Sequence, residues 1–122
     1  MVVDDDEAMR DAVTRMLHRT GYDVLPANGA HHALEIIKAN PPVHVVVSDI
    51  QMPEMLGTQL IREVTQLSPQ TAGVLMTAAV INPADLPDGV IVLKKPFRMQ
   101  DLISVVEAIL AARSNAEREP VA

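Results

Sequence analysis

Short apolar runs alternate along the chain with segments in which apolar residues recur at helical spacing, and this alternation constrains the fold most. The apolar or β-branched runs occupy residues 1–3, 22–27, 43–47, 74–76 and 90–93. Helical spacing occurs at residues 8–17, 33–37, 56–67 and 102–110. We expect Pro26 to close the second strand, and Pro41 and Pro42 to stop the second helix. Several of the strand candidates are continuously apolar, which is typical of strands covered on both faces. The sequence therefore predicts an α/β fold: a doubly wound, five-stranded parallel sheet with helices on both faces and right-handed crossovers.

The length fits one domain, because 122 residues leave no room for two. We expect the domain to span residues 1–112. Residues 113–122 contain Ser, Asn, Glu and Pro, a composition typical of a C-terminal tail or linker.

The charge and composition exclude several kinds of partner. A formal net charge of −6 argues against direct nucleic acid binding, which ordinarily needs a basic patch. The absence of cysteine excludes disulfides and thiolate metal sites. No apolar run approaches the ~20 residues of a membrane span, and no signal peptide is recognisable. We therefore expect a cytoplasmic protein without membrane contacts.

Polar side chains able to do chemistry stand where four of the predicted strands end. They are Asp4 and Asp5, Asp49, Thr77, and Lys95. In open α/β sheets, ligands bind outside the carboxyl ends of the strands. If the sheet forms as predicted, these residues therefore lie along one of its edges.

This set of side chains suits phosphoryl transfer. Three neighbouring carboxylates repel one another and favour a hard cation such as Mg²⁺, which prefers oxygen ligands. A carboxylate can also attack phosphorus and form an aspartyl phosphate. The ammonium of Lys95 and the hydroxyl of Thr77 would supply positive charge and a hydrogen bond to the transferring group.

Each residue also has an ordinary structural interpretation when it is taken alone. One aspartate before a helix is most often an N-cap, and we assign that role to Asp6. Asp49 alone would be a turn residue, Thr77 a cap or turn hydroxyl, and Lys95 a solvated charge. Their joint placement after successive strands favours the functional interpretation.

Four segments together resemble the receiver domains of two-component response regulators, and the resemblance covers Val2 to about Leu110. The segments are Val2-Val3-Asp4-Asp5-Asp6-Glu7, the stretch from Val47 through Met52-Pro53-Glu54-Met55-Leu56 to Gly57, Leu75-Met76-Thr77-Ala78, and Lys95-Pro96-Phe97. The resemblance implies a flavodoxin-like sheet with strand order 2-1-3-4-5.

The resemblance also implies roles at the acidic site. Asp49 would accept a phosphoryl group from a sensor histidine kinase or a histidine phosphotransfer protein. Mg²⁺ would be held by Asp4, Asp5, Asp49 and the backbone carbonyl of Gln51. The switch that follows would alter binding to a downstream effector or to a second copy of the chain.

Three further residues take roles from the same resemblance. Thr77 and Ala78 would contact the phosphoryl group, and Lys95 would pair with its oxygens. Lys94 is the rival for the lysine role, but Lys95 directly precedes Pro96, as in the family motif. The Lys95–Pro96 bond is expected to be cis, which is a minority state for X-Pro bonds in general.

The chain departs from the family pattern in places that bear on signalling. Val92 stands where many members carry an aromatic switch residue, which puts the usual coupling of threonine and aromatic residue in question. Pro83 and Pro87 crowd the stretch between Thr77 and Lys95, so the fourth helix of the family should be short or degenerate. Leu56 replaces an aspartate that is not a metal ligand in the family.

Two other functions stay open at this point. One is a degenerate receiver that binds partners without taking up phosphate, although the complete set of site residues argues against it. The other is a small Mg²⁺-dependent phosphohydrolase. That chemistry usually needs a second carboxylate two residues after the nucleophile, where this chain has Gln51.

Overall fold

The computed structural model describes residues 1–39 and 43–118, with side chains described as far as residue 113. Its strands are β1 (Val2–Val3), β2 (Pro26–Ala27), β3 (Val45–Asp49), β4 (Ala72–Thr77) and β5 (Ile91–Lys94). Its helices are α1 (Glu7–Arg19), α2 (Ala30–Ala39), α3 (Gly57–Leu67) and α4 (Met99–Arg118). The strands form one parallel sheet in the order β2-β1-β3-β4-β5, which confirms the predicted fold class and strand order.

Helices cover both faces of the sheet, and the alternation of side chains along β3 shows how. Val45 and Val47 pack on the face covered by α1 and α4, whereas Val46 faces the opposite cluster, which α2 and α3 complete. Successive side chains of a strand point to opposite faces, so an apolar run of this kind is buried on both sides. The central strands are therefore held between two aliphatic cores.

The second strand is shorter than the predicted run of residues 22–27. Only Pro26 and Ala27 pair with β1, because β1 itself offers only Val2 and Val3 as partners. Just before Pro26, the Val2 amide donates a hydrogen bond to the Leu25 carbonyl at 2.9 Å, which holds this part of the chain against β1. The prediction that Pro26 closes the strand was wrong: Pro26 is its first residue, a position that a proline tolerates at a sheet edge.

The last helix is longer than the predicted segment of residues 102–110. It runs from Met99 to Arg118 and so enters the segment expected to be a tail. Arg113 of this helix donates a hydrogen bond to the carbonyl of Gln70. Prolines 41 and 42, which were expected to stop the second helix, and residues 119–122 lie outside the described residues. The division into a domain of residues 1–112 and a tail of residues 113–122 stays a prediction.

The region between β4 and β5 contains a single 3₁₀ turn, Pro83–Asp85, in place of a fourth family helix. Asn82 caps the turn by accepting a hydrogen bond from the Ala84 amide at 3.0 Å, and Pro83 occupies its first position. Arg62 of α3 donates a hydrogen bond to the Asp85 carbonyl at 2.7 Å, and this bond holds the turn against α3. The expectation of a degenerate fourth helix is thus confirmed.

Within the part of the chain that the structure describes, every helix is too short or too polar to cross a membrane.

Candidate acidic phosphoryl site

The carboxyl ends of the strands bring the predicted side chains together at one edge of the sheet. Carboxylate oxygens of Asp4, Asp5 and Asp49 all lie within 4.8 Å of one another. The Lys95 ammonium lies 3.3 Å from Oδ1 of Asp49. The site therefore combines three acidic groups, at the carboxyl ends of β1 and β3, with the Lys95 ammonium, which follows β5.

Asp4 is the most deeply buried member of the acidic cluster, with 1% of its surface exposed. Its Oδ1 accepts a hydrogen bond from the Asp6 amide at 3.0 Å, whereas its buried Oδ2 has no hydrogen-bond partner among the described residues. Burial raises the pKa of Asp4, and the negative charge of Asp49 raises it further. A buried carboxylate oxygen without a partner, beside two more carboxylates, fits a hard cation bound by oxygen ligands.

Asp6 caps α1, as the sequence predicted. Its Oδ1 accepts hydrogen bonds from the amides of Ala8 at 3.0 Å and Met9 at 3.2 Å. This cap satisfies amides that the helix itself leaves without partners. The capping role therefore falls to Asp6, and the carboxylates of Asp4 and Asp5 belong to the acidic cluster.

The position of Asp4 predicts that Asp4→Asn stabilises the metal-free protein. The substitution keeps an oxygen that can accept from the Asp6 amide and removes a buried charge repelled by its neighbours. We expect the free energy of unfolding to rise by about 1 kcal/mol at neutral pH in a chelator. Thermal unfolding would measure this gain, with exposed Asp23→Asn as the control. A loss of stability in Asp4→Asn would contradict the assignment of repulsion to this cluster.

The raised pKa of Asp4 also determines how the stability of the protein depends on pH. A raised pKa means that folded Asp4 holds its proton more tightly than unfolded Asp4 does. Its contribution to stability is therefore present at low pH and is lost as the pH rises from 3.8 through the folded pKa. The advantage of Asp4→Asn should accordingly shrink as the pH is lowered toward 4.

Lys95, rather than Lys94, provides the cation. Lys94 lies within β5, paired with Thr77, and its side chain is exposed. The Lys95 amide donates to the Thr77 carbonyl at 2.7 Å, and its side chain, 26% exposed, turns toward Asp49. The Lys95–Pro96 bond is cis, the geometry that the resemblance implied.

Thr77 is buried at the end of β4, and its hydroxyl holds the loop that follows. Its Oγ1 accepts a hydrogen bond from the Ala79 amide at 3.0 Å, while Ala78 between them is exposed. The hydroxyl keeps its own proton for donation to another group. Contact of Thr77 and Ala78 with a phosphoryl group remains a prediction.

Gln51 and Val92 occupy different surroundings. Gln51 is exposed in the loop that joins β3 to α3, and the role of its carbonyl as a ligand remains a prediction. Val92 lies on β5 opposite Leu75 and packs, half-buried, against the core on the α3 side. An aliphatic side chain thus stands at the position where the resemblance to receiver domains implied an aromatic switch residue in many members.

Gly57 is a site residue to which the sequence reasoning assigned no role. Its amide donates to the Ile50 carbonyl at 2.9 Å, at the start of α3. A Cβ at this position would overlap the backbone oxygen of Asp49 and lie 3.0 Å from Cα of Ile50. In the sequence, only the place of Gly57 in the segment after Met52-Pro53 pointed to it. The close approach of Gly57 to the Asp49 backbone produces no periodic pattern that could have been recognised.

A contact between a histidine and a glutamate also went unpredicted. Nδ1 of His31, at the start of α2, lies 2.5 Å from Oε2 of Glu54, in the loop between β3 and α3. Both side chains are largely exposed, at 64% and 41%. The contact joins the start of α2 to the loop between β3 and α3, which are distant in sequence, so it depends on the tertiary fold.

An apolar pocket of about 330 Å³ opens beside Lys95. Its lining comes from the start of α1, the loop after β4, and the loop and helix start after β5: Met9, Ala78, Lys95, Pro96, Phe97 and Met99. The pocket thus shares two residues, Lys95 and Ala78, with the predicted phosphoryl site.

The doubly wound sheet and its acidic edge define a flavodoxin-like protein with a site of the receiver type. A sequence model described as "Response regulator receiver domain" matches residues 1–107. The chain therefore belongs to the family of response regulator receiver domains.

Among curated proteins, the chain is similar to the response regulator receiver protein CpdR of Brucella abortus. The two are 33% identical over 116 residues, which cover 92% of this chain and 96% of CpdR. It is also 36% identical to the sensor kinase CckA of the same organism, over 90% of this chain but only 12% of the kinase. Receiver sequences of this kind therefore occur both as nearly whole proteins and as small parts of kinases.

Solved structures support the same family. A receiver domain protein from Clostridium thermocellum matches with a TM-score of 0.86 and 25% identity, over 94% of this chain and 95% of that one. The receiver domain of the hybrid histidine kinase CckA matches with a TM-score of 0.79 and 26% identity, over 89% and 95%. The response regulator TrrA of Thermotoga maritima, solved in complex with Mg²⁺ and BeF, matches with a TM-score of 0.76 and 26% identity, over 88% and 95%.

Proposed function

We propose that this receiver domain accepts a phosphoryl group on Asp49 and thereby switches its binding to a partner. The observation that carries the proposal is the Asp49 carboxylate, which lies within an acidic cluster and 3.3 Å from the Lys95 ammonium. A nucleophilic carboxylate beside a fixed cation is what transfer of an anionic phosphoryl group requires.

We further propose that Asp4, Asp5, Asp49 and the carbonyl of Gln51 hold Mg²⁺. The buried, unpartnered Oδ2 of Asp4 supports this assignment, as does the proximity of the three carboxylates. A bound Mg²⁺ would offset the negative charge of the carboxylates and of the phosphoryl oxygens. The Mg²⁺ complex of the similar protein TrrA is consistent with the same ligand chemistry.

In the transfer step, a carboxylate oxygen of Asp49 attacks the phosphorus of a phosphohistidine. The bond from the histidine nitrogen to phosphorus breaks, and its electron pair stays with the imidazole. Lys95 remains beside the new aspartyl phosphate and stabilises the charge on its oxygens. The Thr77 hydroxyl, held at the end of β4, supplies a hydrogen-bond donor on the neighbouring strand.

The proposed phosphoryl donor is a sensor histidine kinase or a histidine phosphotransfer protein. Similarity to the sensor kinase CckA and to its isolated receiver domain supports such a partner. A phosphoryl group would then favour one of two states of the domain, which differ in affinity for an effector.

The test is the intact mass of the protein after incubation with acetyl phosphate and Mg²⁺. We expect a gain of one phosphoryl group that is stable in acid and labile in base, and that is lost when a chelator replaces Mg²⁺. Fragment masses should place the group within the peptide that contains Asp49. Absence of any adduct, in a sample whose thermal unfolding shows that it is folded, would favour a binding module that takes up no phosphate.

A further inference from the structure

The apolar pocket beside Lys95 adjoins the acidic site, because Lys95 lines the pocket and its ammonium also lies 3.3 Å from Oδ1 of Asp49. Met9 and Met99 approach from two helices, and Pro96 and Phe97 form the rest of the lining. Lys95 is the one charged residue among the six that line it. A ligand that matches both compartments would therefore carry an anionic head and an apolar tail.

We propose that this pocket holds the acyl chain of an acyl phosphate, so that the protein takes phosphoryl groups from donors with aliphatic chains longer than acetyl. The inference rests on the proposed function, because the donor reacts at Asp49. It adds a selectivity among acyl phosphates: donors with acyl chains of three to five carbons are preferred to acetyl phosphate.

The position of Lys95 connects the two parts of such a donor. Its ammonium, 3.3 Å from Asp49, would face the phosphoryl oxygens, while Lys95 also lines the pocket, where the carbon stem of a lysine can cover apolar surface. The flexible thioethers of Met9 and Met99 can adapt to chains of different shape. A volume of about 330 Å³ lies at the small end of the range for small-molecule sites.

The reaction balances without a further reactant. An oxygen of the Asp49 carboxylate attacks phosphorus, and the bond between phosphorus and the acyl oxygen breaks. The electron pair of that bond leaves with the acyl group as a carboxylate. The products are the aspartyl phosphate and the free aliphatic acid, and no oxidant, reductant or proton donor is consumed.

The test compares acetyl, propionyl and butyryl phosphate on the wild-type chain with Mg²⁺, with phosphoramidate as a donor that has no acyl chain. The leaving carboxylates are nearly equal in basicity, so the donors differ little in intrinsic reactivity. Burial of each added methylene is worth about fourfold in affinity. We expect the concentration for half-maximal labelling, read by intact mass, to fall about fifteenfold from acetyl to butyryl phosphate, which has two more methylenes.

Two pocket variants and one matched control locate the effect. Met9→Gln and Met99→Gln place an amide of similar shape in the pocket and should bring the butyryl-to-acetyl preference close to one. Met16→Gln makes the same change on α1, at a partly buried position that does not line the pocket, and should keep the preference. Because each variant is compared between two donors, a general loss of activity cancels from the ratio.

The outcomes separate the inference from the function on which it rests. Labelling by acetyl phosphate and phosphoramidate without any gain along the acyl series would overturn the inference and leave the function standing. A preference that survives in both pocket variants would also overturn it. Labelling by none of the donors would overturn the proposed function and the inference together. Should a pocket variant fail to fold, the wild-type series decides by itself.

Discussion

Replacing Asp49 by asparagine is expected to abolish phosphorylation. The carboxylate oxygen that attacks phosphorus is replaced by a neutral amide, a far weaker nucleophile. The substitution also removes one charge from a cluster in which carboxylates lie within 4.8 Å of one another. Asp49→Asn should therefore stay folded and yet show no mass gain with acetyl phosphate and Mg²⁺ under conditions that label the wild type.

Asp23→Asn is the matched control for this prediction, because Asp23 is an exposed aspartate in the segment between α1 and β2. It should be labelled as fully as the wild type. Thermal unfolding of each protein establishes that unlabelled samples are folded. An adduct of equal extent on Asp49→Asn would show that another group accepts the phosphoryl group, and the assignment of Asp49 would have to be abandoned.

Gly57→Ala is expected to cause the largest loss of stability among single substitutions near the site. The added methyl group would overlap the backbone oxygen of Asp49 and press on Cα of Ile50, and backbone atoms cannot move aside as a flexible side chain can. Overpacking of this kind costs about 3 kcal/mol, which corresponds to a fall of roughly 12 °C in Tm for a domain of this size.

The same strain should also impair phosphorylation, because relief of the overlap must move the backbone that carries Asp49. Gly89→Ala serves as the control: Gly89 has a positive φ of 74° but nothing within 4 Å of the added group. Strain from φ alone should cost only about 1 kcal/mol and leave labelling intact. Equal losses in the two variants would mean that the close approach at Gly57 is not the cause.

Local pattern was sufficient to predict the elements of the fold. The continuous apolar runs predicted the buried central strands, because β-branched residues covered on both faces leave no alternation. Asp6 was identified as the cap of α1, and Pro83 with Pro87 as the reason that the fourth helix is degenerate, since both features depend on neighbours in sequence. The strand order came from the resemblance to receiver domains, and the structure confirms it.

The length of an element was predicted less well where a partner decides it. Residues 22–25 have strand-like composition, yet they are not assigned to β2, because β1 has only two residues for it to pair with. In the same way, α4 extends beyond its apolar stripe, where Arg113 contacts the Gln70 carbonyl. Pairing and packing partners are not visible in the periodicity of a single segment.

The sequence by itself determined which side chains form the acidic site, because parallel strands align their carboxyl ends and so collect the residues that follow them. Tertiary structure alone decided the contacts that depend on the course of the loops: Gly57 against the backbone of Asp49, His31 of α2 beside Glu54, and the apolar pocket next to Lys95. The physical reason is that strand ends are placed by repeating hydrogen bonds, whereas loop contacts depend on the path that each connection takes.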